Sequence, residues 1–157
     1  MIDLKIREAT LQDSEIYLLW RNDPVVRESA FNTSAISLVM HQNWFSNKIE
    51  SELSKLYMLF ENEVPVGQVR FDIHENVMEA EINYSIDESF RGKRIATPLM
   101  QKAIDTIFFA NKELNKLVAK VKLENTASNR VFEKLNFEKI IQPDISMNVF
   151  EYTQKSK

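Results

Sequence analysis

The chain opens with a two-residue alternation, Leu4 and Ile6 apolar against Lys5 and Arg7, which predicts a strand at 4–7. The period then lengthens. Ile16, Leu18, Leu19 and Trp20 lie in a predicted helix over 11–23, with Thr10 placed to cap it and Asp13 three residues on. Asp23-Pro24 ends that helix, because the residue before a proline is pushed out of the helical region. Leu38, His41, Trp44, Phe45 and Ile49 fall at helical spacing and predict a second helix over 37–52. Three strands follow at 56–60, 64–73 and 79–86, separated by the hairpin-like Glu61-Asn62-Glu63 and by Glu75-Asn76. From Ala96 the helical period returns, with Ile95, Leu99, Ala103, Ile104, Ile107 and Phe108 on one face. Residues 117–123 alternate around Lys120 and Lys122 and read as a strand. A short helix at 126–135 stops at Asn136, a residue that tolerates the left-handed conformation, and 137–141 and 147–152 are late strands. The order β-α-α-β-β-β-α-β-α-β-β defines a mixed α/β fold.

With 157 residues, 44% hydrophobic and 27% charged, the chain is long enough for one domain with a sizeable core. That domain is assigned to 1–153, with a polar tail at 154–157. A net charge of −3 argues against nucleic acid as the main partner. The absence of cysteine removes disulfide and thiol chemistry and fits a reducing, cytoplasmic setting. No apolar run approaches the roughly 20 residues of a membrane span, and the first five residues do not read as a signal peptide. His41 and His74 have no clustered partners, so no metal site is expected.

The densest chemistry lies at Phe90-Arg91-Gly92-Lys93-Arg94-Ile95-Ala96-Thr97, where a strand-like run gives way to a helix. Such a junction gathers free backbone N–H groups and the positive end of a helix dipole, a natural seat for phosphate. A second constellation follows in Asn125, Ser128, Phe132, Glu133, Lys134, Asn136 and Phe137.

In their order and placement these two segments resemble those of the GNAT superfamily of N-acetyltransferases, over nearly the whole chain. The resemblance implies the GNAT acyl-CoA N-acyltransferase fold, α+β, with a mostly antiparallel, splayed central sheet flanked by helices. It implies acetyl-CoA as co-substrate, its pyrophosphate over the amides of Arg91, Gly92, Lys93, Arg94, Ile95, Ala96 and Thr97, with Ile86, Asn125, Ser128 and Phe132 along the rest of the molecule. Arg94 stands where the family usually has glycine; if the backbone there is already helical, the side chain is tolerated and its guanidinium adds a charge. Residues 79–87 correspond to the strand that splays from its neighbour, where an amide near Ser85 or Ile86 would polarise the thioester carbonyl.

The family's frequent general acid is a tyrosine, and Phe132 occupies that position. Tyr84 and Ser128 are the hydroxyls that could replace it, unless the thiolate departs unassisted. Glu81 and Asp72 are the nearest strand carboxylates for a base.

Trp20-Arg21-Asn22-Asp23-Pro24, Phe31-Asn32, His41 with Trp44-Phe45, and Gly67 to Asp72 resemble the GNAT branch that acetylates nucleotide-linked amino sugars, and more loosely the ribosomal-protein N-terminal acetyltransferases. The resemblance places Arg21, Asn22, His41, Trp44 and Arg70 on the acceptor side. It implies a small-molecule amine acceptor, the 4-amino group of a UDP-linked 4-amino-4,6-dideoxy sugar, and is compatible with a homodimer. The alternatives are a protein N-terminal or other amine acetyltransferase, and an acetyl-CoA-binding module without catalysis.

Overall fold

The computed structural model describes residues 2–154; of the predicted tail 154–157, all but Gln154 lies outside the described residues. Seven strands form one sheet in the order β1-β2-β3-β4-β5-β7-β6. They are β1 (Leu4–Glu8), β2 (Ser54–Glu61), β3 (Val64–His74), β4 (Glu79–Ile86), β5 (Lys116–Lys122), β6 (Glu138–Ile140) and β7 (Met147–Thr153). Every neighbouring pair is antiparallel except β4 with β5. Five helices accompany the sheet: α1 (Ser14–Arg21), α2 (Pro24–Ser29), α3 (Leu38–Glu50), α4 (Ala96–Ala110) and α5 (Thr126–Lys134). Among the described residues no helix is long and apolar enough to cross a membrane.

Period-two alternation divides the core in two. Tyr57 and Leu59 of β2 join Val69, Phe71, Ile82 and the apolar face of α4 in the larger cluster. Leu56 and Met58, on the opposite face of β2, join Tyr17 and Trp20 of α1 and Phe45 of α3 in the smaller one. The sheet is thus a layer between α4 on one side and α1 with α3 on the other.

The first predicted helix is divided in the structure. Leu11–Asp13 is a 3-10 turn, in which the Asp13 carboxylate accepts from the Thr10 amide at 2.8 Å and pairs with Arg7 at 2.8 and 3.0 Å. The helix then ends at Arg21, and α2, which the periodicity missed, begins one residue after Asp23. The same dipeptide explains both events. Pro24 cannot continue a helix but suits the first position of one, and Asp23 Oδ1 caps the new helix by accepting from the amides of Val25 and Val26 at 2.8 and 3.3 Å. Asn136 takes the left-handed conformation expected of it, with φ +66°.

Strands β4 and β5 pair only over Glu79–Glu81 and Lys116–Val118. Beyond Ile82 they diverge, and the sheet opens.

Candidate active site

A cavity of about 730 Å³ fills that opening. Ile82, Asn83, Tyr84, Ser85 and Ile86 form one lip, and Lys120 and Val121 form the other. The chain has two glycines, and both stand here. A Cβ on Gly67 would lie 2.4 Å from the Ser85 carbonyl oxygen, so only glycine lets β3 approach β4 this closely at the opening. Gly92, with φ +76°, turns the chain after Arg91 toward α4 and has no neighbouring atom where a Cβ would sit.

Arg91, Gly92, Arg94, Ile95, Ala96 and Thr97 line the cavity; Lys93 does not, and its ammonium lies 4.9 Å from the centre of the Phe90 ring. None of the backbone N–H groups from Gly92 to Thr97 donates to an acceptor among the described residues. Pro98 follows as the third residue of α4, where a missing N–H costs nothing. Arg94 overturns the expectation of a helical backbone at that point: its φ is +61°, the left-handed region, and right-handed Ile95 follows. A reversal of hand between successive residues turns their amides toward one side, as in anion-binding backbone concavities. The glycine usual at this position fits that geometry without strain, and arginine adopts it at a cost.

The lip opposite the loop carries the predicted hydroxyls. Tyr84 Oη and Ser128 Oγ are 2.8 Å apart, and burial pushes the tyrosine up to about 12, the Ser128 bond offsetting only part of the rise. Phe132 packs edge-on against Tyr84 at 5.9 Å between ring centres and is almost wholly buried, yet lines the cavity with Asn125 and Ser128. Asn125 caps α5, its Oδ1 accepting from the Ser128 amide at 3.2 Å.

Neither carboxylate expected as a base reaches the cavity. Glu81 is drawn to Lys120, 3.7 Å away. Asp72 accepts from Lys48 Nζ and Arg70 Nε, each at 2.9 Å, and from Ser54 Oγ at 3.1 Å. Burial alone would raise its carboxyl, but the two cations outweigh that and hold it below the usual range. Among the described residues no Asp or Glu lines the cavity, whereas Arg21, Arg70, Arg91, Arg94, Lys120, Arg130 and Lys134 all do.

On the side of α1 and α3 stand Tyr17, Arg21, His41, Trp44 and Arg70. Arg70 lies over the Trp44 ring at 5.1 Å. His41 Nε2 meets the Ser14 carbonyl oxygen at 2.8 Å, and burial holds its pKa below the ordinary 6.5, so the ring is neutral at pH 7. Asn22 does not line the cavity: its Nδ2 donates to the Ile36 carbonyl at 3.0 Å and its Oδ1 accepts from the Ile36 amide at 2.9 Å, so both halves of the amide are spent holding the loop after α2.

Buried polar atoms almost always find partners. Five side-chain atoms among the described residues do not, and four of them, Arg21 Nη1, His41 Nδ1, Gln68 Oε1 and Arg91 Nη2, belong to residues of this cavity. Arg91 Nη2 lies 3.3 Å from the Asp23 carboxylate without the alignment of a hydrogen bond. Gln68, Asn83, Lys120 and Arg130 line the cavity without having been predicted; Gln68 and Asn83 had a usable signal, since they alternate with core residues on β3, which carries Gly67, and on its neighbour β4.

A sheet opened at its parallel pair, with a strand–turn–helix of unpaired amides at the gap, is the architecture of an acyl-CoA-dependent acyltransferase. Residues 3–138 match the acetyltransferase (GNAT) domain family, and the chain belongs to it. It is an N-acetyltransferase domain, of a family whose co-substrate is acetyl-CoA, as the sequence resemblance implied.

Among its relatives, an uncharacterized N-acetyltransferase of Bacillus licheniformis is 28% identical over 142 residues, covering 87% of this chain and 79% of that protein. A ribosomal-protein-serine acetyltransferase of Escherichia coli is 27% identical over 115 residues, covering 73% of this chain and 59% of that protein. A spermidine N-acetyltransferase from Vibrio cholerae, solved with CoA and spermine, superposes with a TM-score of 0.85 at 18% identity, covering 96% of this chain and 95% of that one.

Proposed function

We propose that this enzyme acetylates the primary amine of a small acceptor that also carries negative charge, and that a nucleotide-linked amino sugar, with the 4-amino group of a UDP-linked dideoxy sugar as reactive centre, is the acceptor class that fits. The observation that carries this reading is the cavity lining: beyond Arg91 and Arg94, which face acetyl-CoA in this reading, it holds five more cationic side chains and, among the described residues, no carboxylate, in a chain whose net charge is −3. A polyamine would need carboxylates to hold its ammonium groups. A diphosphate finds donors in Arg21, whose Nη1 is buried without a partner, and in Arg70 and Lys120.

For acetyl-CoA the fit rests on the unpaired amides. The N–H groups of Gly92 to Thr97, with the N-terminal dipole of α4, would hold its pyrophosphate, and Arg91 and Arg94 would add charge. The thioester supplies an activated acetyl group. An amide near Ser85 or Ile86, which line the cavity where β4 no longer pairs with β5, would polarise its carbonyl. Tyr84 and Ser128 would donate a hydrogen bond to the departing sulfur, and a tyrosine raised to about 12 is better suited to that than to giving up its proton.

Free thiol released from acetyl-CoA, measured with three acceptors, tests the reading. A UDP-linked 4-amino sugar is expected to be turned over with kcat/KM at least about 10²-fold above spermidine and above a peptide presenting a free N-terminal amine. Preference for spermidine would overturn it. Preference for the peptide would favour the protein-directed alternative, which the Escherichia coli relative keeps open.

A further inference from the structure

Gln68 and Ser85 are register partners on β3 and β4, so their side chains leave the sheet on the same face. Arg70 and Asn83 make the next rung. On β2 the corresponding residues are Leu56 and Met58, and they are buried under α1 and α3. The sheet therefore changes from apolar to polar where it passes from beneath those helices to the floor of the cavity.

Both Gln68 and Ser85 are more than nine-tenths buried, at 8% and 7% exposure, and both line the cavity. Gln68 Nε2 donates to Ser85 Oγ at 3.1 Å. With Nε2 turned to the serine, Gln68 Oε1 is buried with no partner. A buried amide oxygen in this state is costly in any fold unless something outside the chain satisfies it, and being an acceptor only it takes an N–H or O–H donor.

We infer that Gln68 Oε1 accepts a hydrogen bond from the amine nucleophile of the acceptor and that Ser85 locks the amide in the orientation this requires. The inference rests on the acetyl-transfer reading above. A neutral amide oxygen suits the task better than a carboxylate would. A carboxylate stabilises the ammonium form, which has no lone pair to attack with; an amide holds one N–H and leaves the lone pair free for the thioester carbon. Arg21 and Arg70 act in the same direction, because like charges in the cavity disfavour an ammonium and lower its pKa. His41, neutral and bonded to Ser14, adds no charge; Tyr17 is un-ionised, and Asp13 and Asp72 are held by Arg7 and by Lys48 with Arg70. The acceptor thus enters as the neutral amine, having left its extra proton to solvent. The N–C bond forms as the C–S bond breaks, the electron pair goes to sulfur, and the new amide nitrogen sheds its second proton to water. A base on the protein is not needed, which accounts for a cavity without a carboxylate.

Steady-state kinetics across pH on wild type, Gln68→Ala, Gln68→Glu and Ser85→Ala, with acetyl-CoA dissociation measured alongside, tests the pair. Gln68→Ala should lower kcat/KM for the acceptor at least about tenfold while acetyl-CoA affinity stays within about twofold. Gln68→Glu keeps the shape of the side chain and so guards against a folding artefact; it should lower the acceptor KM and move the acid limb of the kcat profile, which reports the bound amine, about one pH unit or more to higher pH. Ser85→Ala should fall between wild type and Gln68→Ala, and the double variant should be no worse than Gln68→Ala alone. An unchanged acceptor KM and pH profile in both Gln68 variants, with wild type active, would overturn this inference and leave the reaction intact. A wild type that acetylates no amine would overturn the reaction, and the inference with it.

Discussion

The lip from Gly92 to Thr97 presents main-chain N–H groups, whereas the wall of Arg21, Arg70 and Gln68 presents side chains. The first needs only a turn of the right hand and a helix start, so it accepts many sequences; even arginine replaces the usual glycine at position 94. The second depends on which side chains stand where, and each orphaned atom there is a commitment to one kind of ligand. In the proposed reading, backbone recognition belongs to the family's co-substrate and side-chain recognition to the acceptor.

The largest effect should come from the point where the two meet. Gly67→Val would drive a branched side chain against the Ser85 carbonyl, 2.4 Å from where its Cβ would start. We expect a loss of about 2–3 kcal/mol in chemical denaturation and at least about 10²-fold in turnover, because the β3–β4 spacing sets both halves. Full activity in this variant would break the comparison outright.

On the hydroxyl lip the contrast is between Tyr84 and Phe132. Tyr84→Phe should lower kcat about tenfold, one hydrogen bond in the transition state, about 1.4 kcal/mol. Phe132→Leu should lose less than that, through packing alone. Because burial holds the tyrosine near 12, its ionisation should impose no descending limb on kcat between pH 7 and 10. A kcat that falls across that interval in wild type, and no longer does in Tyr84→Phe, would show proton donation instead.

Much of this was legible in the residues. The Arg91–Thr97 segment announced itself because cationic and small residues sit between an alternating run and an amphipathic one, and both of those patterns are local. Asp23-Pro24 marked the end of a helix correctly but gave no hint that Asp23 also begins one, since the cap is a side-chain geometry. Glu81 and Asp72 looked like bases because a sequence shows charge without showing partners; Lys120 and Lys48 reach them from other elements, and Arg70 reaches Asp72 from two residues back on the same strand. Asn22 was misjudged for the same reason, its amide being turned to the backbone of Ile36. The absence of acid from the cavity is a property of three-dimensional lining and could not have been read from a chain that is acidic overall.

Smaller effects separate the halves further. His41 lines the cavity on the side proposed for the acceptor, and burial holds its pKa below the ordinary 6.5. As pH falls below that value the unfolded chain takes up a proton that the folded ring refuses, so stability declines toward acid and is unaffected by this group above it. Denaturant titrations at pH 7 and 5 should show this decline in wild type and a flatter response in His41→Gln. Arg94→Gly should relieve the left-handed strain at φ +61° and stabilise by about 0.5–1 kcal/mol, seen as a rise of about 2 °C in Tm. A fall in Tm would mean that the arginine side chain is held by contacts that outweigh the strain.

The division of labour itself is tested by Arg21→Ala and Arg70→Ala, each assayed for acceptor KM with an anionic amine and for acetyl-CoA dissociation by calorimetry. Both residues line the cavity on the side proposed for the acceptor, and neither is part of the amide lip. The expected result is an acceptor KM raised about tenfold or more, the worth of one charge-assisted contact, with the acetyl-CoA dissociation constant within about twofold of wild type. Weakened acetyl-CoA binding with an unchanged acceptor KM would contradict the assignment of the two halves.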